Sequence, residues 1–196
     1  MSRTFALTYD YLCPFARIAN ETVLEALAEN PGWSVEFRPF SLSQNHADEG
    51  STPVWDRPVG SEGTRGTKAL LWSLAIRDSF PDAFAVFHRE LFSARHDEAA
   101  DIDADDVLTA AASVAGLDAA DVQVIVASGV PAKTLATEHA ENVDRWSVFG
   151  VPTFIQDDEA VFVRFMERHK TEDLVKVLDM LSWTNINEFK RTVVPQ

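Results

Sequence analysis

The stretch Asp10-Tyr11-Leu12-Cys13-Pro14-Phe15-Ala16 joins an apolar run that predicts a strand to a periodic run that predicts a helix. A proline directly after Cys13 suits the first helical position, where its fixed φ is preorganised and its missing N–H is not needed. Cys13 is then expected at the N-cap, where the free N–H groups of the first turn and the helix dipole both favour a thiolate. We therefore expect a reactive thiol with a lowered pKa. The alternative is a buried, inert cysteine that behaves as a small hydrophobe.

The composition narrows the classes of function. The chain has 196 residues, of which 46% are hydrophobic, so it is long enough to bury the core of one compact domain. Its net charge of −14 disfavours nucleic acid and anionic membrane surfaces as partners. We see neither a spanning apolar stretch nor a signal-peptide pattern, and a single cysteine allows no internal disulfide. We therefore expect a cytoplasmic enzyme or binding protein.

The order of the predicted elements indicates an α/β fold. Residues 4–9 and 33–40 are predicted strands on either side of a helix over residues 15–29, which is a βαβ pattern. A polar connector over residues 41–64 and an all-helical block follow. Residues 151–156 and 160–165 then predict a hairpin, and a closing amphipathic helix carries Leu174, Val177, Leu178 and Leu181. The chain thus reads as βαβ, a helical insertion, and ββα.

Within the helical block, two aspartates have the sequence context of helix caps. Asp103 and Asp118 each precede an apolar periodic run and are followed three residues later by another aspartate. We expect each to cap the helix that directly follows it. Phe80, Phe84, Phe87 and Leu91 fall at helical spacing and are expected in the core.

Two motifs together resemble the DsbA-like branch of the thioredoxin superfamily. They are Cys13-Pro14-Phe15-Ala16 after the first strand and Gly150-Val151-Pro152-Thr153-Phe154 at the start of the third. The resemblance implies a thioredoxin fold over residues 1–60 and 148–196, with a helical insertion over residues 61–147. It also implies a cis Val151–Pro152 bond beside the Cys13 sulfur. The site residues it implies are Cys13 as the catalytic nucleophile, with Pro14, Phe15, Val151, Pro152 and Thr153 binding the thiol substrate.

Ala16 is where the chain departs from the dithiol members of that family, which carry a second cysteine at this position. Without a resolving thiol, the two-cysteine disulfide cycle cannot close. Cys13 can still attack a disulfide and hold a mixed disulfide that a small thiol then resolves. We therefore expect a thiol–disulfide oxidoreductase of the monothiol type.

The C-terminal part narrows the resemblance further. Residues 159–168 and 187–192 resemble an actinobacterial DsbA-like group related to mycothiol-dependent reductases. This implies mycothiol, or glutathione, as co-substrate with no tightly bound cofactor, and Arg164 or Arg168 near the cleft. The wider family includes kappa-class glutathione transferases and 2-hydroxychromene-2-carboxylate isomerases, which generally carry serine at the Cys13 position. A thiol-dependent transferase or isomerase and a non-catalytic binding module are therefore the alternatives.

Other candidate sites are weaker. The five histidines show no close pair of metal-ligand spacing, so we expect no metal site. Tyr9, Asp10 and Tyr11 lie near Cys13, but polar residues at the end of a strand are more often solvated, and we expect that here. An exposed apolar cleft would be compatible with a homodimer.

Overall fold

A βαβ unit forms the first part of the computed structural model, which describes residues 2–194. Strands β1 (Arg3–Tyr9) and β2 (Trp33–Pro39) pair in parallel, with Arg3 opposite Trp33. Helix α1 (Pro14–Glu29) connects them and buries a stripe of small and branched apolar residues on its inner face. The predicted βαβ unit is therefore confirmed.

A short helix, α2 (Leu42–Asn45), and a 3₁₀ turn over Val54–Asp56 lie in the predicted connector. The helical block follows, and its helices account for most of residues 67–146. They are α3 (Thr67–Ser79), α4 (Pro81–His96), α5 (Asp105–Val114), α6 (Ala119–Ala127) and α7 (Val130–Trp146). The division at residues 60 and 148 stays a prediction, and Met1 and residues 195–196 of its outer parts lie outside the described residues.

The ββα unit completes the sheet. Strands β3 (Thr153–Gln156) and β4 (Glu159–Phe162) form a hairpin, and β3 runs antiparallel to β1, so the strand order is β2-β1-β3-β4. Strand β4 ends at Phe162, before the predicted limit at residue 165, and Phe165 packs against Phe154 with 5.8 Å between ring centroids. Helix α8 (Thr171–Met180) follows, and its buried residues Leu174, Val177 and Leu178 confirm the closing amphipathic helix.

One of the two expected caps acts on a different helix. Asp118 caps α6 by accepting a hydrogen bond from Ala120 N at 2.8 Å, as expected. Asp103 instead accepts from Gly66 N at 2.6 Å and Ala69 N at 3.1 Å, and so caps the start of α3. Gly66 stands at the N-cap of α3 and has no side chain, so the acceptor for these N–H groups comes from another segment. This contact fixes the start of α3 against the segment before α5.

The fold places the first turn of α1 next to the start of β3, because β1 and β3 are neighbours in the sheet. Among the helices of residues 2–194, none combines the length and apolar character that a membrane span requires.

Candidate active site

Cys13 is the N-cap residue of α1, as predicted, with extended backbone angles of φ −95° and ψ 118°. Its Sγ accepts a hydrogen bond from Ala16 N at 3.4 Å. The turn before the helix is closed by Cys13 N, which donates to Asp10 O at 3.1 Å, and Pro14 is the first helical residue. The thiol therefore lies at the positive end of a helix of 16 residues.

The start of β3 supplies the second part of the site. The Val151–Pro152 peptide bond is cis. Cys13 Sγ donates a hydrogen bond to Val151 O at 3.4 Å, although the two residues are 138 positions apart in the chain. The structure thus brings together Cys13, Val151 and Pro152, and Pro14 and Phe15 follow the thiol in the first turn of α1.

Thr153 has a different environment from the other residues of this group. Its N–H donates to Thr8 Oγ1 at 2.8 Å, and its Oγ1 donates to Gly150 O at 2.8 Å. With only 3% of its surface exposed, Thr153 uses these groups to hold the strand entry in place. Its position supports the site without presenting a free polar group to a substrate.

The two candidate arginines lie in different surroundings. The guanidinium carbon of Arg164 is 5.2 Å from the centroid of the Phe15 ring, so this side chain borders the first turn of α1. Arg168 donates from Nε to Glu21 Oε2 at 2.7 Å. Glu21 lies two helical turns beyond Cys13 and also accepts from Arg17. The structure therefore places Arg164 against Phe15 in the first turn of α1, and Arg168 in a separate ion-pair cluster along the same helix.

Asp10 is buried, which contradicts the expectation of a solvated strand end. Its side chain is 1% exposed and accepts hydrogen bonds from Leu12 N and Leu42 N, each at 2.8 Å. Burial raises the pKa of Asp10 to about 6, because the charged form loses its hydration, although the two N–H donors oppose this. Asp10 thus links the Cys13 turn to the segment that follows β2.

The pKa of Cys13 is raised, so the expected lowering of this pKa was wrong. Burial of the thiol is the largest cause, and the Asp10 carboxylate adds to it. The N–H groups of Ala16 and Phe15, and the charge of Arg164, act in the opposite direction but do not prevail. The helix N-terminus predicted from the sequence is present, but desolvation by distant segments outweighs it.

Tyr9 and Tyr11 are also fully buried and belong to a polar chain beneath the site. The Ser73 Oγ lies 2.7 Å from Tyr9 Oη and 2.8 Å from Tyr11 Oη. Tyr11 Oη is also 2.7 Å from Nδ1 of His88, whose pKa burial lowers to about 3, so the ring is neutral. The sequence did not predict these hydrogen bonds, because the residues come from β1, the turn after it, α3 and α4 and share no local pattern.

Asn20 connects this polar chain to the site helix. Nε2 of His88 lies 3.0 Å from Asn20 Oδ1, and Asn20 Nδ2 donates to Ala16 O at 2.8 Å. Because an amide oxygen can only accept, Nε2 of the neutral ring carries the proton of this contact. The first turn of α1 is thereby fixed against the helical block by buried hydrogen bonds.

Comparison with known protein families agrees with the fold and the site geometry described above. A family model described as DSBA-like thioredoxin domain matches residues 6–176. A search of curated protein sequences found no match.

Three solved structures illustrate the similarity of fold. A 2-hydroxychromene-2-carboxylate isomerase is 16% identical, with a TM-score of 0.64 over 92% of this chain and 95% of that one. The cytosolic disulfide reductase DsbM from Pseudomonas aeruginosa, solved with GSH, is 15% identical, with a TM-score of 0.65 over 92% and 99%. A probable DsbA oxidoreductase from Streptomyces coelicolor is 18% identical, with a TM-score of 0.62 over 96% and 93%.

Proposed function

The chain belongs to the DSBA-like thioredoxin domain family, and from this premise we propose that it is a monothiol thiol–disulfide oxidoreductase whose nucleophile is Cys13. The observation that carries the proposal is the contact of Cys13 Sγ with Val151 O at 3.4 Å. It sets the one thiol of the chain at a helix N-terminus and against a backbone carbonyl at the start of β3. That arrangement suits a linear attack on a disulfide held along the strand.

The raised pKa of Cys13 favours the reducing direction. A strongly lowered cysteine pKa stabilises the reduced form of a thiol–disulfide protein and makes it an oxidant. At Cys13 the pKa shift is in the other direction, so this driving force for oxidising substrates is absent. A thiol of higher pKa is also intrinsically more nucleophilic and a poorer leaving group, so its mixed disulfide persists longer.

The first chemical step is attack on a substrate disulfide. In the resting site the Cys13 proton is directed at Val151 O. Loss of this proton to solvent gives the thiolate, which keeps the hydrogen bond from Ala16 N and frees Val151 O to accept an N–H of the substrate. The thiolate attacks one sulfur of the substrate, a Cys13–sulfur bond forms, the substrate S–S bond breaks, and the second substrate sulfur leaves as a thiolate.

A small thiol must complete the cycle. The chain has a single cysteine, so no second thiol of the same molecule can attack the mixed disulfide. We propose that one small thiol attacks the Cys13 sulfur of the mixed disulfide, releases the substrate as a free thiol and remains bound to Cys13. A second small thiol then attacks the bound small thiol, which frees Cys13 and forms a disulfide of the two small thiols. The substrate disulfide gains two electrons, and two small thiols lose one each.

We propose mycothiol or glutathione as this co-thiol and place the reaction in the cytoplasm, where small thiols are kept reduced. DsbM, which shares the fold at a TM-score of 0.65, was solved with GSH and is described as a cytosolic disulfide reductase. The proposal includes contact of the bound thiol with Pro14, Phe15, Val151 and Pro152. Arg164 borders this group, whereas Arg168 is bonded to Glu21.

The second candidate is a thiol-dependent isomerase or transferase. It is favoured by the fold shared with a 2-hydroxychromene-2-carboxylate isomerase and by the lack of a second cysteine. In that case the protein would bind a free thiol without forming a covalent bond through Cys13.

Intact-mass spectrometry after incubation with oxidised glutathione, and separately with oxidised mycothiol, tests the proposal. We expect an adduct of one thiol on the wild type, none on Cys13→Ser, and its removal by the reduced thiol. Turnover is measured as glutathione disulfide produced when 2-hydroxyethyl disulfide and glutathione are supplied together. An unmodified protein that binds the reduced thiol saturably would support the isomerase or transferase, and a protein inert in both assays would support a binding module.

A further inference from the structure

Two contacts with the proposed site hold Arg164 in place. The residue before it, Val163, donates from its N–H to Pro152 O at 3.3 Å, which fixes the backbone beside the start of β3. The Arg164 guanidinium carbon lies 5.2 Å from the centroid of the Phe15 ring, in the first turn of α1. Arg164 therefore lies against both segments that form the Cys13 site.

Arg164 also differs from its neighbours in lacking an acidic partner. Within residues 2–194, no carboxylate lies within 4.0 Å of its side-chain nitrogens. In the same loop, Arg168 pairs with Glu21 at 2.7 Å and Lys170 with Glu167 at 3.4 Å. In a chain of net charge −14, an exposed arginine without an acidic partner beside the nucleophile leaves a local positive charge unneutralised.

The contact with Phe15 does not neutralise the charge of the Arg164 guanidinium, because an aromatic ring carries no net charge. A guanidinium presents its five N–H donors outward in a fixed planar fork. This geometry is suited to a carboxylate, which can accept two parallel hydrogen bonds from one arginine.

Resting on the proposed function of Cys13, we propose that Arg164 is a specificity-determining residue that selects thiols and disulfides carrying a carboxylate close to the reacting sulfur. The ligand sulfur would meet Cys13 while its carboxylate meets the N–H donors of Arg164. A co-thiol without a carboxylate gains nothing from Arg164.

A pair of alkylating reagents of nearly equal size tests the charge preference directly. Iodoacetate carries a carboxylate and iodoacetamide is neutral, and the Cys13 thiolate attacks the carbon of either reagent and displaces iodide. The ratio of their rates therefore cancels any change in thiolate fraction. We expect Arg164→Gln to lower the iodoacetate to iodoacetamide ratio about two- to fivefold, the range of an exposed ion pair. Arg164→Lys should retain part of the preference.

Arg168→Gln is the matched control, since it removes a charge from the same loop but not from the Phe15 face, and it should leave the ratio unchanged. The wild-type ratio should also fall as salt is raised to about 0.5 M, because exposed charges are screened. An equal ratio in wild type and Arg164→Gln, or an equal loss in Arg168→Gln, would overturn the inference.

A second measurement separates this inference from the proposed function. Mixed-disulfide formation is compared for 3,3′-dithiodipropionate, which is anionic, and 2-hydroxyethyl disulfide, which is neutral. We expect Arg164→Gln to slow the anionic disulfide about two- to fivefold relative to the neutral one. If Cys13 forms no mixed disulfide with either, the proposed function is refuted, while the alkylation ratio still decides the role of Arg164.

Discussion

Ala16→Cys should convert the site into a dithiol that forms an internal disulfide. Ala16 lies in the first turn of α1, and its N is 3.4 Å from Cys13 Sγ. Residues three apart in a helix have Cβ atoms about 5–6 Å apart, and a small adjustment of the turn brings them to disulfide distance. The substitution therefore supplies the resolving thiol that the chain lacks.

The expected stability follows from two opposing effects. The Ala16 side chain is fully buried, so an added sulfur must displace packed neighbours, which costs about 1–2 kcal/mol. Closing a loop of only a few residues stabilises the oxidised form by about 2 kcal/mol in the chain-entropy account. We expect the reduced variant to be less stable than wild type by about 1–2 kcal/mol. The oxidised variant should return close to the wild-type value.

Thiol titration under mild oxidant, and urea unfolding of the oxidised and reduced forms, measure these effects. Ala19→Cys is the matched control, because Ala19 is equally buried on α1 but six residues from Cys13, beyond the reach of a disulfide. The glutathione adduct of Ala16→Cys should also be short-lived, since the new thiol resolves it. If Ala16→Cys keeps two free thiols under oxidant, our placement of Cys13 Sγ beside the first turn is wrong.

Three further predictions concern Cys13, Asp10 and Asp103. The pH midpoint of Cys13 alkylation by iodoacetamide should lie above about 8.5, the value of an unperturbed thiol, and a lower midpoint would show that the helix N-terminus outweighs burial. The pKa of Asp10 rises from 3.8 to about 6 on folding. The stability contributed by Asp10 is therefore complete below pH 3.8 and lost as pH rises through about 6. Between these two pH values, the unfolding free energy of Asp10→Asn should rise by about 3 kcal/mol relative to that of the wild type. Urea unfolding at several pH values measures this difference, and a difference that falls as pH rises would contradict the prediction. Asp103→Ala should lower the unfolding free energy by about 1–2 kcal/mol through loss of the α3 cap, and an unchanged urea midpoint would contradict that role.

Local sequence patterns were sufficient to predict the strands and helices and the part of the site that Cys13 and the start of α1 form. The apolar run of β1, the proline after Cys13 and the periodicity of α1 are properties of neighbouring residues, so the N-cap position of the thiol could be predicted. The order βαβ, helices, ββα likewise follows from patterns within single elements. The absence of a resolving thiol needs no structure, because Ala16 occupies that position.

The electrostatic properties of the site depended on contacts between distant segments. Asp10 is buried because the segment after β2 covers it and donates Leu42 N to its carboxylate. Asp103 likewise depends on a distant segment, because its carboxylate oxygens cap a helix that begins 36 residues before it, at Thr67. The sequence around either aspartate does not show which distant backbone N–H groups donate hydrogen bonds to its carboxylate.

The sequence by itself determined which chemistry is available to this protein: one thiol, at the start of a helix, with no second cysteine to resolve a disulfide. Only the tertiary structure decided the protonation of that thiol and its surroundings. Burial beside Val151 and Asp10 raises the pKa of Cys13. In the folded chain Arg164 contacts Phe15, whereas Arg168 forms an ion pair with Glu21. The physical reason is that helix position is set by neighbours in the chain, whereas desolvation and charge contacts are set by neighbours in space.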